Sequence, residues 1–264
     1  MERPQRQIRV LFDSWSPHFG QIHRHRLGAD FQQAALFDPA RDPAFAELAY
    51  KTTANIAESH YLMGIDLLNL GQLYGAKPYF EKASIEVTRS IALASENPDK
   101  ERANELVTYY RILAKNNLLV IKRYGEMDRV EDTIRAIAEA RRLDQSGKSA
   151  WDLLEGDVYK AAARSSDAAR AYRNALSTDP DSLDALYNLS LLLVVSGEKE
   201  GLVEAIKYMS RFVEKAPPSD ARSAEVRASL ESLRKQLLDD SAKRDKLPIS
   251  SKRSVRDQPD LKPS

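Results

Sequence analysis

A spacing of small and aromatic residues recurs along this chain of 264 residues, and it constrains the fold more than any other feature. In the stretch 151–182 the gaps between these residues are 3, 9, 4, 3 and 5, and the residues are Gly156, Tyr159, Ala168, Tyr172, Ala175 and Pro180. In the stretch 60–84 the gaps are again 3, 9, 4 and 3, and the residues are Gly64, Leu67, Ala76, Phe80 and Ala83. Because gaps of 3 and 4 keep residues on one face of a helix, each copy predicts two packed helices.

Two further copies extend the pattern. One has gaps of 3, 12, 4, 3 and 5 and consists of Ser190, Leu193, Ala205, Met209, Phe212 and Pro217, which predicts three residues inserted in a turn near 198–200. A degenerate copy consists of Ile121, Tyr124, Thr133, Ile137 and Ala140. The period is 34 from Gly156 to Ser190, but Ala83 and Ala140 are 57 apart, which we interpret as longer helices on either side of residues 97–99.

This spacing resembles the tetratricopeptide repeat family over roughly residues 57–219. The family's unit has about 34 residues and consists of two antiparallel helices joined by a turn. The resemblance implies an all-α fold, a right-handed superhelix of stacked antiparallel helical hairpins (an α-solenoid). Small residues such as Gly156 let two helices approach closely, and large ones such as Tyr172 fill the space beside them.

Local signals place the ends of the helices. Gly71, Gly75, Gly125 and Gly197 fall where hairpin turns are expected, since glycine tolerates a left-handed backbone. Two prolines, at 180 and 217, should end the helices before them. Ser149 and Asp152 are spaced for a capping box at a helix start.

Composition divides the chain into three parts. We predict an irregular N-terminal segment (1–43), a helical repeat domain (44–238) and a disordered polar tail (239–264). The domain should end in an amphipathic capping helix over 220–238, which covers the last repeat with one face and meets water with the other.

The sequence argues against catalysis. It contains no cysteine, and it lacks the glycine patterns that hold phosphates and the HExxH motif of zinc enzymes. The only histidine cluster, His18, His23 and His25, surrounds an arginine and would need a further ligand to hold a metal. We therefore expect no enzyme activity, no cofactor and no metal site.

Charge and hydropathy point to a location in the cytoplasm. The net charge is +1, so nothing in the overall balance calls for nucleic acid or an anionic membrane. The N-terminal residues do not read as a signal peptide, and no apolar run reaches the length of a membrane span. We predict a cytoplasmic protein.

The resemblance also implies a binding groove for a segment of another protein. In the family, first helices line the groove, and an asparagine on one of them often bonds the peptide backbone; Asn188 stands at the matching place. The side chains that should share this surface are Tyr61, Ile65, Lys115, Leu118, Lys122, Leu153, Asp157, Lys160, Tyr187, Asn188 and Leu191. Some members hold a C-terminal carboxylate with Lys and Asn of the first repeat, but Tyr61 and Ile65 occupy those places here, so this mode is not expected.

The predicted function is that of a protein–protein interaction scaffold. Two alternatives stay open: a regulatory subunit of an enzyme complex, and a weak nucleic-acid contact through the basic C-terminal tail. Asn188 could equally serve only a contact between helices. Self-association is a further prediction, since repeat stacks with an exposed end helix often form homo-oligomers.

Overall fold

The computed structural model describes residues 43–95, 100–144 and 146–245. These residues form nine α-helices, and no strand occurs among them. The helices are α1 (Pro43–Asn69), α2 (Leu73–Ser95), α3 (Lys100–Tyr124), α4 (Arg129–Leu143), α5 (Lys148–Ala161), α6 (Ser165–Thr178), α7 (Leu183–Ser196), α8 (Lys199–Lys215) and α9 (Ser223–Asp245). The all-α prediction is confirmed, while the predictions for residues 1–42 and 246–264 lie outside the described residues.

The chain divides into two compact units, Met1–Asp179 and Pro180–Ser264. The first unit contains α1 to α6 and the second contains α7 to α9. In each unit, consecutive helices pack against each other as hairpins. Helices α2 and α3 have 23 and 25 residues against 14 for α5, which confirms that the 57-residue interval arises from longer helices.

Helices α1 and α2 form an antiparallel hairpin that turns at Gly71. This glycine has a φ of 73°, as the turn prediction requires, and its neighbour Gln72 donates its backbone N–H to the carbonyl of Leu67 at 2.9 Å. Close to the turn, Gly64 lies against the ring of Phe80. Further from the turn, the hydroxyls of Thr53 and Ser90 share a hydrogen bond of 2.6 Å. The prediction for Gly75 was wrong, because this residue lies inside α2 without a positive φ.

Helices α3 and α4 form the second hairpin and turn at Gly125, which also has a φ of 73°. The buried face of α4 carries the small and branched residues of the degenerate copy, Thr133, Ile137 and Ala140, each 0% exposed. Ile137 and Ala140 pack with Ile121 of α3 in one apolar cluster. The weakest copy of the repeat therefore still builds a hairpin.

The third hairpin, α5 and α6, is fastened by Tyr172. Its ring lies against Gly156, and its hydroxyl donates to Oδ1 of Asp157 at 2.7 Å. Burial raises the pKa of Tyr172 far above its usual value, and the charge of Asp157 adds to the shift. Both effects favour the protonated hydroxyl, which is the form that donates to Asp157.

The predicted capping box at the start of α5 was wrong. The helix begins at Lys148, and the hydroxyl of Ser149 donates to the backbone carbonyl of Ala175 at 3.1 Å. Asp144 organises this entry instead, because its Oδ1 accepts the backbone N–H of Gly147 at 2.9 Å and its Oδ2 accepts the indole N–H of Trp151 at 3.1 Å. Burial raises the pKa of Asp144, but these hydrogen bonds outweigh burial and lower it overall.

The second unit begins with the hairpin of α7 and α8, which turns at Gly197 with a φ of 68°. The three extra residues do not lengthen this turn as predicted: α8 begins at Lys199 and has 17 residues, so the insertion extends the helix. The backbone of Glu198 is extended, and α8 starts directly after it. The added residues lengthen the helix at its N-terminus and leave its buried face unchanged.

Helix α9 packs on α8 in the second unit. Val226, Leu230 and Leu233 are buried apolar residues on one face of this helix, and Arg234 donates to the hydroxyl of Ser210 on α8 at 2.9 Å. The helix runs from Ser223 to Asp245, so it begins three residues later and ends seven residues later than the predicted range of 220–238.

Candidate partner-binding surface

The predicted surface residues lie on the first helix of each hairpin. In the first unit they lie on α1, α3 and α5, and in the second unit on α7. Their exposure differs widely. The four helices therefore contribute different kinds of side chain to the predicted surface.

On α1, Tyr61 and Ile65 are half-buried and pack inside the first hairpin. The ring of Tyr61 meets Phe80 edge-on with centroids 6.0 Å apart, and burial raises the pKa of its hydroxyl. Ile65 packs against the cluster of Ala76, Phe80 and Val120. These two side chains therefore mainly stabilise the packing of the hairpin.

On α3, the two lysines are exposed but the leucine between them is not. Lys115 and Lys122 reach solvent, whereas Leu118 is 8% exposed and belongs to the cluster that contains Ile121 and Ile137. The helical period places Lys115, Leu118 and Lys122 on neighbouring sides of α3, but only the packed structure shows which of these sides other helices cover. Helix α3 therefore offers cations and no apolar anchor.

On α5, Leu153 and Asp157 are half-buried and Lys160 is exposed. Burial of the ammonium group lowers the pKa of Lys160; Asp157 opposes this shift, and the charge of Lys122 adds to it. Lys122 on α3 and Asp157 on α5 therefore both act electrostatically on Lys160. We call these three residues the charged patch.

On α7, the helical spacing places Asn188 and Leu191 on one side of the helix. They are half-buried, as is Leu192, and Val195 on the same side is 84% exposed. The opposite side is fully buried and consists of Ala185, Leu186, Leu189, Ser190 and Leu193. We call Asn188, Leu191, Leu192 and Val195 the α7 stripe.

Tyr187 has a different role from its neighbours on α7. Its ring lies 6.0 Å from Phe212, and the guanidinium of Arg222 lies 5.2 Å from its centroid. Arg222 also bonds Oδ1 of Asp184 at 2.6 Å. Tyr187 is therefore part of the packing that holds the start of α9 near the α7–α8 hairpin.

Sequence reasoning missed a buried polar network between α2, α3 and α4. The hydroxyl of Ser84 donates to Oδ1 of Asn117 at 3.0 Å and accepts from Nδ2 of Asn116 at 2.7 Å and from Arg129 at 3.2 Å. Nδ2 of Asn116 also donates to the carbonyl of Phe80 at 2.9 Å. Two adjacent asparagines inside a helix were the available signal, because such residues need partners when buried.

The hydroxyl of Ser84 donates one hydrogen bond and accepts two, which is all that a hydroxyl can make, so the network fixes α2 against α3. Asn116 and Asn117 are 0% and 5% exposed, which leaves neither available at the surface.

The described residues contain neither a cluster of metal ligands nor a helix that could span a membrane. No group of three or more His, Asp or Glu side chains there could hold an ion. Among the helices with described residues, none combines the length and the apolar character needed to cross a bilayer.

Comparison with known proteins gives likenesses of fold alone. No protein-family model matches the chain, and no curated protein matches it. Among solved structures, MamA from residue 41 of Desulfovibrio magneticus RS-1 is 17% identical, with 76% of this chain and 99% of that chain covered and a TM-score of 0.43. A thermophilic tetratricopeptide-repeat protein of Thermus thermophilus is 20% identical, with 67% and 98% covered and a TM-score of 0.39.

The tetratricopeptide-repeat domains of yeast Sti1, solved as a complex with pHSP90, are 13% identical, with 86% of this chain and 88% of that chain covered and a TM-score of 0.37. The fold itself follows from the contacts of this chain's own helices. Its antiparallel hairpins, in which Gly64 meets Phe80 and Gly156 meets Tyr172, make this chain similar to tetratricopeptide-repeat proteins, as its sequence spacing predicts.

Proposed function

We propose that this protein is an interaction scaffold that binds a segment of another protein on the exposed sides of its first helices. The observation that carries the proposal is the α7 stripe. Helix α7 has 14 residues and a single charged side chain, Asp184. A helix that packs on one side normally places polar residues on the other, so an apolar outer side is a typical docking surface.

The chemistry of the α7 stripe suits a peptide segment. The amide of Asn188 can both donate to and accept from a peptide backbone, and it stands beside Leu191, which can receive an apolar side chain. We expect binding in the micromolar class, as is common for a short segment that buries a small area. The partner would therefore present an apolar side chain flanked by free backbone groups.

The charged patch of the first unit would favour acidic residues in a segment bound to that unit. Lys122 and Lys160 are both exposed cations, and an exposed cation attracts an acidic side chain. Lys115, exposed on α3, adds to the positive potential of the unit. In this proposal the remaining predicted residues pack between helices and do not contact the partner: Tyr61, Ile65, Leu118, Leu153 and Tyr187.

The test of the α7 stripe is a comparison of two variants with the wild-type chain. Asn188→Ala combined with Leu191→Asp removes the amide and places a charge in the stripe. Val203→Asp is the matched control, since Val203 is 54% exposed on the side of α8 turned away from α7. Each chain is immobilised, and bound proteins are quantified by mass spectrometry after circular dichroism has confirmed that all variants are folded.

We expect the double variant to lose at least about 90% of a reproducible set of partners, since one or two interface anchors commonly contribute more than about 1.4 kcal/mol. The control should retain that set. Equal recovery by all three chains would show that the stripe is not the binding surface.

A separate pair of variants tests the charged patch. Lys122→Glu with Lys160→Glu should weaken capture of acidic partners, and more strongly at low salt than at high salt, because exposed charges are screened. Lys207→Glu, on the exposed side of α8, is the single-charge control. If the patch variant binds as the control does at every salt concentration, acidic residues of the partner play no part.

We further propose that this scaffold has no catalytic activity of its own and acts in the cytoplasm. Fractionation of cells that produce the tagged chain at its natural level provides the measurement. We expect recovery in the cytosolic fraction, and recovery in the salt-washed membrane pellet would contradict this part of the proposal.

A further inference from the structure

The α7 stripe ends in a carboxylate near the N-terminus of the helix. Asp184 lies one helical turn before Asn188, so it shares the side of α7 on which the α7 stripe lies. It is the single charged residue of α7, and its side chain is 60% exposed. The apolar surface therefore has a charged end that reaches solvent.

Two further carboxylates lie close to Asp184. The guanidinium of Arg222 joins two of the three, because Nη1 donates to Oδ1 of Asp184 at 2.6 Å and Nη2 donates to Oδ2 of Asp220 at 2.8 Å. Glu225, in the first turn of α9, lies near the hydroxyl of Tyr187; burial raises the pKa of this tyrosine, and the charge of Glu225 adds to the shift. We call Asp184, Asp220 and Glu225 the acidic end of the stripe, and one guanidinium cannot neutralise all three.

Two cations of α8 lie near the start of α7, but they pair with a different carboxylate. Arg211 and Lys215 each bond Asp181 at 2.9 Å, and Asp181 belongs to the turn before α7. Even when this group is counted with the acidic end and Arg222, carboxylates outnumber cations. The start of α7 therefore carries an excess of negative charge beside an apolar surface.

We propose that the segment bound on the α7 stripe carries a basic side chain that pairs with Asp184 and an apolar side chain that packs on Leu191. This inference rests on the proposed function, because it assigns the chemistry of a segment that the same stripe would bind. The excess of negative charge attracts a lysine or arginine of the partner and repels a carboxylate. The partner is therefore a basic and apolar segment of another protein.

The helical rise sets the spacing between the two partner side chains. Asp184 and Leu191 are two turns apart on α7, which is about 10 Å along the helix axis. An extended segment covers about 3.3 Å per residue, so its basic and apolar residues should be about three positions apart. This preference is opposite to that of the charged patch, which belongs to the first unit and would favour acidic residues.

The test uses short, capped, dye-labelled peptides and the full chain. Each peptide consists of serine and glycine around a pair of leucines, with one lysine, glutamine or glutamate at the spacing given above, and each is made in both sequence orders. Fluorescence anisotropy gives the dissociation constant of each peptide. Asp184→Asn removes the charge at the end of the stripe, and Glu231→Gln, at an exposed position of α9, is the matched control for the change in net charge.

At low salt the lysine peptide should bind the wild-type chain at least about fivefold more tightly than the glutamate peptide, with the glutamine peptide between them. Asp184→Asn should reduce this ratio to about two or less, whereas Glu231→Gln should leave it unchanged. Equal binding of the three peptides, or the same ratio in both variants, would overturn this inference. The proposed function would survive that result if Leu191→Asp abolished the binding, and it would fail if Leu191→Asp had no effect or no peptide bound.

A second measurement on the wild-type chain keeps the test valid if Asp184→Asn prevents folding, which circular dichroism would show. The ratio of the lysine and glutamate dissociation constants is measured from about 0.05 M to about 0.5 M salt. Because Asp184 is exposed, the ratio should fall towards one as the Debye length shortens. A preference that is the same at every salt concentration would contradict the pairing of a partner cation with the acidic end.

Discussion

Substitution of Gly64 by alanine is the sharpest test of how these hairpins are held together. A Cβ at this position would lie 2.5 Å from Cε1 and 2.6 Å from Cζ of Phe80, far inside normal contact distance. The ring of Phe80 is 0% exposed and packs with Ala76, Val120 and the edge of Tyr61. It therefore has no free space into which it can move.

Two opposing terms set the size of the effect. Overpacking of a core by one methyl group costs about 2–3 kcal/mol when the neighbour cannot move. Replacement of glycine by alanine inside a helix returns about 0.5–1 kcal/mol of backbone entropy. We expect Gly64→Ala to lower the free energy of unfolding by about 1–2 kcal/mol.

The assay is urea unfolding of the full chain, followed by helical circular dichroism. Gly75→Ala is the matched control in the same hairpin, because Gly75 is exposed, helical, and would place its Cβ 3.6 Å from the nearest side-chain atom, Oε1 of Gln72. This control should raise the free energy of unfolding by the entropic term of about 0.5–1 kcal/mol. The same substitution is thus predicted to have opposite signs at two positions of one hairpin.

A double-mutant cycle identifies the contact responsible. Phe80→Leu removes the ring atoms that the new methyl group would strike, so Gly64→Ala should cost less in that background, by a coupling energy of about 1 kcal/mol or more. If Gly64→Ala stabilises the protein as Gly75→Ala does, the close approach of α1 and α2 is refuted.

Three further predictions concern the other hairpins and α9. Gly156→Ala should lower the free energy of unfolding by about 1–2 kcal/mol in the same urea assay, because its Cβ would lie 2.5 Å from Cε1 of Tyr172; a neutral result would contradict that contact. Arg222→Lys should lower the thermal midpoint of the second unit by a loss of about 1 kcal/mol, because an ammonium cannot stack on the rings as a planar guanidinium does. The guanidinium of Arg222 lies 5.2 Å from the ring centroid of Tyr187 and 5.3 Å from that of Phe212. The control Arg227→Lys, on the exposed side of α9, should leave the midpoint unchanged. Hydrogen bonds from Arg222 lower the pKa of Asp220 to about 2, so its stabilising effect is present above the usual carboxyl pKa of 3.8 and is lost as the pH falls towards 2. The difference in thermal midpoint between wild type and Asp220→Asn should therefore shrink between pH 5 and pH 2 (about the range of this titration), and a constant difference would contradict the assignment.

The candidate surface shows where sequence patterns are informative and where they fail. Asn188 and Leu191 share one side of α7 and are half-buried, and their common side follows from the helical period alone. Leu118 occupies the corresponding register on α3 and is buried instead. Helix α3 is long enough to contact both α2 and α5, so its sides are covered differently from those of a standard repeat.

The sequence by itself determined the helices, their turns and the small–aromatic pairs that join them. These features depend on residues close together in the chain: glycines at 71, 125 and 197 adopt a left-handed backbone, and a helical period aligns Gly156 with its neighbours on one face. Only the tertiary structure decided that Asn116 and Asn117 turn inward to Ser84 and that Arg222 stacks on Tyr187. The physical reason is that a helical wheel gives the angle between two side chains, whereas burial depends on which distant segment fills the space beside each face.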